Sequence, residues 1–221
     1  MTRVMHVLLT GLLRPSIEYV MWFCTDIRKK LPGCKVHILY WETCEEDKKR
    51  LEEVFDSVYA VPEISDSILF RFIRARTLQQ KQVGRSLERI TPRIYKIFYG
   101  VRCIIDKLNI PDSETVMRIR TDNYIQKIEF PQPGPNQFLF CPKKSCGDSC
   151  DWFGVSTLET LKKLYYINDN MYNHCVKNAW NSENIIINNA KIHGVEMVSI
   201  NSTTRLAIAR EYPPLKLHYY D

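Results

Sequence analysis

Met117-Arg118-Ile119-Arg120-Thr121-Asp122-Asn123-Tyr124-Ile125 is the stretch on which the reading of this chain turns. Met117, Ile119 and the β-branched Thr121 alternate with Arg118, Arg120 and Asp122, the period-2 pattern of a strand that buries one face. The other face carries two arginines and ends on a lone carboxylate. Arginine forks bind phosphate oxygens, and hard divalent ions take carboxylate oxygen. At a strand end in an α/β chain, two cations beside one anion are suited to a diphosphate and its metal. An exposed strand face with a surface salt bridge is the competing reading, and the stretch by itself supports both.

The surrounding composition narrows the choice. A chain of 221 residues makes one fair-sized α/β domain, taken here as 1–221. With 45% hydrophobic and 25% charged residues it is globular rather than disordered. No apolar run reaches membrane-spanning length. The apolar start, Met1 to Leu13, lacks a small-residue cleavage site and reads as a first strand, not a signal peptide. The net charge of +6 fits an anionic ligand and gives little support to stable nucleic-acid binding. Eight scattered cysteines with no secretion signal imply reduced thiols and a cytoplasmic setting, the host cytoplasm if the chain is virus-encoded. Cys141, Cys146 and Cys150 can be imagined holding zinc with His174 or Cys175. Their spacing is not C-x2-C and no paired knuckle accompanies them, so free thiols are expected.

Around the quoted stretch, strands and helices alternate. Val4 to Thr10 is a continuous apolar run, as for a strand buried on both faces. A helix is expected from Pro15 to Leu31, stopped by Pro32-Gly33. Lys35 to Trp41 reads as strand, Glu45 to Phe55 as amphipathic helix and Val58 to Val61 as a short strand. Residues 63–82 give no clear element. Pro92 is expected to open a long helix whose apolar positions run from Ile94 to Leu108. After the arginine-rich strand come a loop at 131–135, a strand at 137–141 and a polar turn. Ser156, with Glu159 three residues on, reads as a capping box for the next helix. Ser182 to His193 is helical, closed by Gly194, and Val195 to Ile200 is a late strand.

Such alternation implies parallel strands with helices on both faces, with ligands at the carboxyl ends of the strands. Thr10, Gly11 and Arg14 follow the first strand, where glycine allows close backbone approach and arginine reaches a phosphate. Tyr40 ends the second strand, where it can stack on a base or pack in the core. Arg93 and Lys96 share a face of the long helix and can reach phosphates, although a solvated face explains Lys96 as well. No GxGxxG and no GxxxxGK[ST] occurs, so neither a dinucleotide-binding Rossmann site nor a P-loop is supported.

The ordered motifs resemble those of GT-A glycosyltransferases, and within that fold the WavE-like polysaccharide-synthesis group. The matching residues are Gly11 to Arg14, Arg118-Ile-Arg120-Thr121-Asp122, Asp151-Trp-Phe153-Gly154-Val-Ser156 and Ser182-Glu183. The resemblance implies a GT-A-like, mainly parallel mixed sheet flanked by helices. It implies transfer of a sugar from a nucleoside-diphosphate donor, expected to be a UDP-sugar, to a hydroxyl of a glycan acceptor.

It also implies roles. Asp122 corresponds to the last carboxylate of the family's DxD motif, which holds Mn2+ or Mg2+ against the diphosphate. This chain has Arg120 where many such enzymes have the first aspartate, and Arg118 and Arg120 are expected at the diphosphate. A late histidine often completes the metal site, and only His218 comes late enough. The aromatic tail, 211–221, is therefore expected to fold back over the donor site. His6 and His37 lie in expected strands and are read as core or surface residues. Asp151 and Asp148 are candidates for the base of an inverting reaction. Glu183, at a helix start, is a further candidate, although the helix dipole also favours an acid there. Two rival classes compete for the same residues. A sugar-nucleotide nucleotidyltransferase needs a glycine-rich basic loop after the first strand, and Gly11 is the only glycine there. A non-catalytic RNA- or protein-binding module needs an extended basic face, and only Arg71 to Arg89 is densely basic.

Overall fold

The computed structural model describes residues 4–41, 45–61, 86–141, 152–166, 182–200, 204–212 and 215–218. Ten strands and five helices follow the chain among them. Strand β1 (His6–Gly11) leads through α1 (Ile17–Lys30) to β2 (Lys35–Trp41), then α2 (Glu45–Glu52) and β3 (Ser57–Val61). Helix α3 (Ser86–Lys107) precedes β4 (Thr115–Arg120), β5 (Asn123–Lys127), β6 (Gln137–Phe140) and β7 (Phe153–Thr157). Helices α4 (Leu158–Tyr165) and α5 (Ser182–His193) are followed by β8 (Glu196–Ser199), β9 (Arg205–Glu211) and β10 (Lys216–His218).

Seven strands form one sheet in the order β3-β2-β1-β4-β7-β6-β8. Strands β3, β2, β1 and β4 are mutually parallel, β7 runs antiparallel to β4 and β6, and β8 is parallel to β6. This is the mainly parallel mixed sheet that the sequence leads one to expect. The chain winds outward from β1 to β3, then returns to β4 on the other side of β1. That reversal between neighbouring parallel strands is a topological switch point, where two loops leave in opposite directions and open a crevice. A second sheet, β10-β9-β5, begins where β4 ends.

Both faces of the large sheet are covered, which is why β1 and β2 are mainly apolar. On one face α1 contributes Tyr19, Val20, Phe23 and Ile27, packed against Val7, Leu9, Val36, Ile38 and Met117, with Ile125 and Ala209 of the small sheet joining them. On the other, Phe98, Val101 and Ile104 of α3, Leu161 and Leu164 of α4 and Ile186 of α5 cover Leu8, Leu39 and Val116. Gly154 sits in β7 because nothing larger fits: a Cβ there would lie 2.0 Å from the Phe138 ring. No helix among the described residues is long and apolar enough to cross a membrane.

Several local expectations need correction. Helix α3 starts at Ser86, so Pro92 lies inside it and does not open it. The apolar spacing continues upstream through Leu87 and Ile90, and that longer stripe outweighs one missing N–H donor. Ser156 does not cap α4. It is buried in β7, whose pairing with β4 runs on to Thr157, and Thr157 accepts from Thr160 N at 3.3 Å as the cap. Strand β4 stops at Arg120, and Thr121-Asp122 form a turn into β5. Strands β9 and β10 match no element read from the sequence. Residues 63–82, Cys146, Cys150, His174 and Cys175 lie outside the described residues. Cys24, Cys34, Cys103 and Cys141 are free thiols, and burial pushes the Cys141 thiol up to about 12.

Candidate active site

The switch point brings the end of β1 onto the end of β4. Thr10 stands opposite Arg120 in the ladder, and the chain then turns at Gly11 with φ +142°, a conformation closed to most side chains. A Cβ on Gly11 would lie 2.9 Å from Thr121 Oγ1. The bare backbone lets the β1 loop settle on the β4 turn, where the Thr121 hydroxyl donates to Leu12 O. Arg14 is exposed on this loop, while Thr10 is buried.

Asp122 is fixed from several sides. Its carbonyl accepts from Ala209 N of β9 at 2.9 Å, which ties the turn to the small sheet. Next to it Asn123 is fully buried; its Nδ2 donates to Trp152 O at 3.2 Å, and its carbonyl accepts from the Tyr19 hydroxyl. Trp152 O also accepts from Arg120 N at 3.1 Å. Burial first, and then the nearby Asp122 carboxylate, pushes the Tyr19 phenol above its ordinary value, so it remains a donor.

The Asp122 carboxylate itself is taken by a fork. Arg120 Nε donates to Oδ1 at 2.9 Å and Nη2 to Oδ2 at 2.6 Å. The guanidinium lies 5.9 Å from the Trp152 ring. The two side chains are 29% and 11% exposed, so the pair sits at the rim of the crevice and not in the core. Arg118 lies two residues deeper on the same strand face and is only 1% exposed. Its guanidinium faces the Tyr165 ring at 5.6 Å, and its Nε and Nη1 have no hydrogen-bond partner among the described residues. Each such buried N–H costs about 1–3 kcal/mol unpaired, and a buried charge needs an anion more than a neutral donor does. The solvated strand face that competed for these residues is therefore absent at Arg118.

The remaining candidates are distributed as follows. Tyr40 is fully buried in the core under α1, so its ring is packing there and is not presented at the crevice. Lys96 lies 5.9 Å from the Trp41 ring at the end of β2; Arg93 belongs to α3, and its side chain is outside what is described. Glu183 is half-buried in the first turn of α5, with Ser182 Oγ 3.4 Å from its carboxylate. Asp148 and Asp151 lie outside the described residues. His218 is in β10, paired with Ile208 of β9, which in turn pairs with Asn123. Two strand spacings separate their backbones, about 10 Å. Its side chain is likewise outside the description. The quoted stretch pointed to Arg118, Arg120 and Asp122, but not to their neighbours Thr121 and Asn123. Those two residues hold the turn through bonds to chain segments that no local pattern reveals, 109 and 29 residues away.

The family resemblance implies a divalent metal at Asp122, and among the described residues the donor set there is a poor match. Both carboxylate oxygens are already forked by Arg120, and the position two residues before Asp122 carries a side chain with donors only. A dication approaching the pair meets a neutral unit whose positive half lies beside the ligand oxygens.

No protein-family model matches the sequence, and no curated protein does. Solved structures do match. One is a galactosyltransferase, LgtC, in complex with donor and acceptor sugar analogs: TM-score 0.55, 10% identity, over 89% of this chain and 73% of that one. Another is the glycosyltransferase GlyE of Streptococcus pneumoniae TIGR4: TM-score 0.51, 12% identity, over 91% of this chain and 46% of that one. At such identities the likeness concerns the fold. That fold is the GT-A type of nucleotide-diphospho-sugar transferases, a mostly parallel seven-stranded sheet between helices.

Proposed function

We propose that this protein is a glycosyltransferase that uses a nucleoside-diphosphate sugar, a UDP-sugar by preference, and transfers the sugar to a hydroxyl of a glycan. The observation that carries the reading is the Gly11 loop seated on the Thr121-Asp122 turn at the switch point. Ligands of open α/β sheets bind in such crevices, and exposed Arg14 on the β1 loop and part-exposed Arg120 at the end of β4 are suited to a diphosphate there. The fold is shared with a galactosyltransferase in complex with donor and acceptor sugar analogs, and the motif order resembles that of the polysaccharide-synthesis group.

In the reaction, an acceptor oxygen forms a bond to the anomeric carbon. The bond from that carbon to the diphosphate oxygen breaks, and its electron pair leaves with the diphosphate. Preorganised positive groups at the oxygen that gains charge lower the barrier. The acceptor proton passes to a carboxylate in an inverting reaction, for which Asp151 and Asp148 are the proposed bases and Glu183 the third. The test is a thermal-shift screen of UDP-, GDP-, CDP- and ADP-sugars against the full chain, followed by release of diphosphate with glycan acceptors. Binding of one donor class raises Tm by mass action, and turnover with that donor requires an acceptor. A panel that leaves Tm unchanged throughout rejects the reading.

A further inference from the structure

We propose that Arg120 stands in for the divalent cation at this site: guanidinium groups neutralise the leaving diphosphate, and Asp122 positions Arg120 without serving as a metal ligand. The inference rests on the glycosyltransferase reading and adds the identity of the group that takes up the leaving charge.

The first support is the fork. Nε and Nη2 of Arg120 hold the two oxygens of Asp122 at 2.9 and 2.6 Å. Such bidentate pairing fixes the plane of the guanidinium as well as its position. The anchor is tied to its surroundings, because Asp122 O is bonded to Ala209 N and Asn123 beside it is bonded to Trp152 O. Two of the five guanidinium donors serve the fork. An arginine already held in one orientation loses little further freedom when a diphosphate arrives.

The second support is charge. Arg118 and Arg120 project from the same face of β4, and among the described residues the Asp122 carboxylate is forked by Arg120. The Arg118 guanidinium is buried, and its Nε and Nη1 find no hydrogen-bond partner among the described residues. A buried cation in that condition is stabilised by an incoming anion and destabilised by a second cation. A metal at Asp122 would add two positive charges near Arg118 and Arg120 and would have to break the fork first. A diphosphate held by Arg120 brings negative charge toward the strand instead.

The test is calorimetric titration of the full chain with UDP, GDP, CDP and ADP, once in EDTA and once in Mn2+. The expected result for the native chain is a nucleoside diphosphate whose affinity differs by less than about threefold between the two buffers. Arg120→Gln is expected to lose about tenfold or more in EDTA and to recover part of it in Mn2+, because Asp122 is then open to a cation. Arg120→Lys keeps the charge without the fork, and serves if the glutamine variant does not fold. It is expected to bind more weakly than native in both buffers. Binding by the native chain that requires Mn2+, together with unchanged metal dependence in the Arg120 variants, overturns the inference and leaves the donor reading intact. Absence of binding by any diphosphate in both buffers overturns the donor reading, and this inference with it.

Discussion

At Gly11 two requirements meet in one residue. The backbone has φ +142°, and the space where a Cβ would stand is already occupied by Thr121 Oγ1 at 2.9 Å. Either condition alone penalises a side chain, and together they leave a substituted chain no local escape. Gly11→Ala must rotate the backbone away or push Thr121 off its bond to Leu12 O. The expected cost is roughly 1–3 kcal/mol in urea denaturation, the range for residues forced into sparsely populated backbone regions. Nucleotide affinity is expected to fall by more than the stability loss explains, because the loop being displaced forms the crevice. Thr121→Val separates the two effects, since it removes the hydroxyl bond without adding bulk at Gly11. If Gly11→Ala retains both midpoint and nucleotide affinity, the seating of this loop is incidental to the site.

At the scale of elements, the tail shows how local pattern and tertiary structure divide the work. Tyr212 follows β9 with its ring 5.7 Å from both Tyr19 and Trp22 of α1, and β10 then returns along β9. The β9–β10 hairpin is thus held in place by an aromatic cluster as well as by the ladder from β9 to β5. Tyr212→Ala is expected to lose roughly 1–3 kcal/mol by chemical denaturation, while Tyr212→Phe keeps nearly all of it. A midpoint unchanged in the alanine variant means that the ring merely lies on the surface. The apolar rings of this tail are visible in the sequence and suggest docking. The ladder partners are not visible, because Asn123 and Ile208 meet across 85 positions and strand pairing at that distance leaves no local trace. The parallel half of the large sheet was far more legible. Lys35 to Trp41 has the bounds expected of it because an uninterrupted apolar run has few alternatives. The error at Pro92 came from giving one residue more weight than the stripe around it. Ser156 misled for a related reason, since the signal for a cap is local and the ladder that overrode it is not. At the site, β4 supplied the correct residues with the wrong exposure. A period-2 pattern identifies two faces, but cannot show that α4 lies over the second one and buries Arg118 against Tyr165.

For the molecule as a whole, the two ends of the large sheet differ in kind. The carboxyl ends of β1 and β4 carry the crevice, and the amino ends carry a buried histidine pair. His6 Nδ1 and His37 Nε2 lie 2.9 Å apart with their rings stacked, and both residues are about 5% exposed. In the neutral pair one facing nitrogen donates to the other, and a proton on both would set two N–H groups against each other inside the fold. Burial first, and then the neighbouring His6, lowers His37 to about 4; Asp56 acts in the opposite direction and Lys35 in the same one. His6 is lowered as well, chiefly by burial, with Glu114 and Asp56 opposing and Lys35 assisting. The sign of the consequence follows from proton counts. Between about 4 and 6.5 the unfolded chain holds a proton on His37 that the folded chain lacks, so stability falls as pH drops through that window. Above the window the term is constant, and the full loss approaches about 3 kcal/mol. Urea midpoints at pH 7.5, 6 and 5 are therefore expected to decline, and His37→Gln, which keeps a hydrogen-bonding group but does not titrate, is expected to flatten the decline. Nucleotide affinity measured where the protein is still folded is expected to follow the same pH course in the native chain and in His37→Gln, because the pair lies at the end of β1 and β2 away from Gly11 and Asp122. A decline that persists unchanged in His37→Gln assigns the pH dependence to other groups, the lowered His6 first among them.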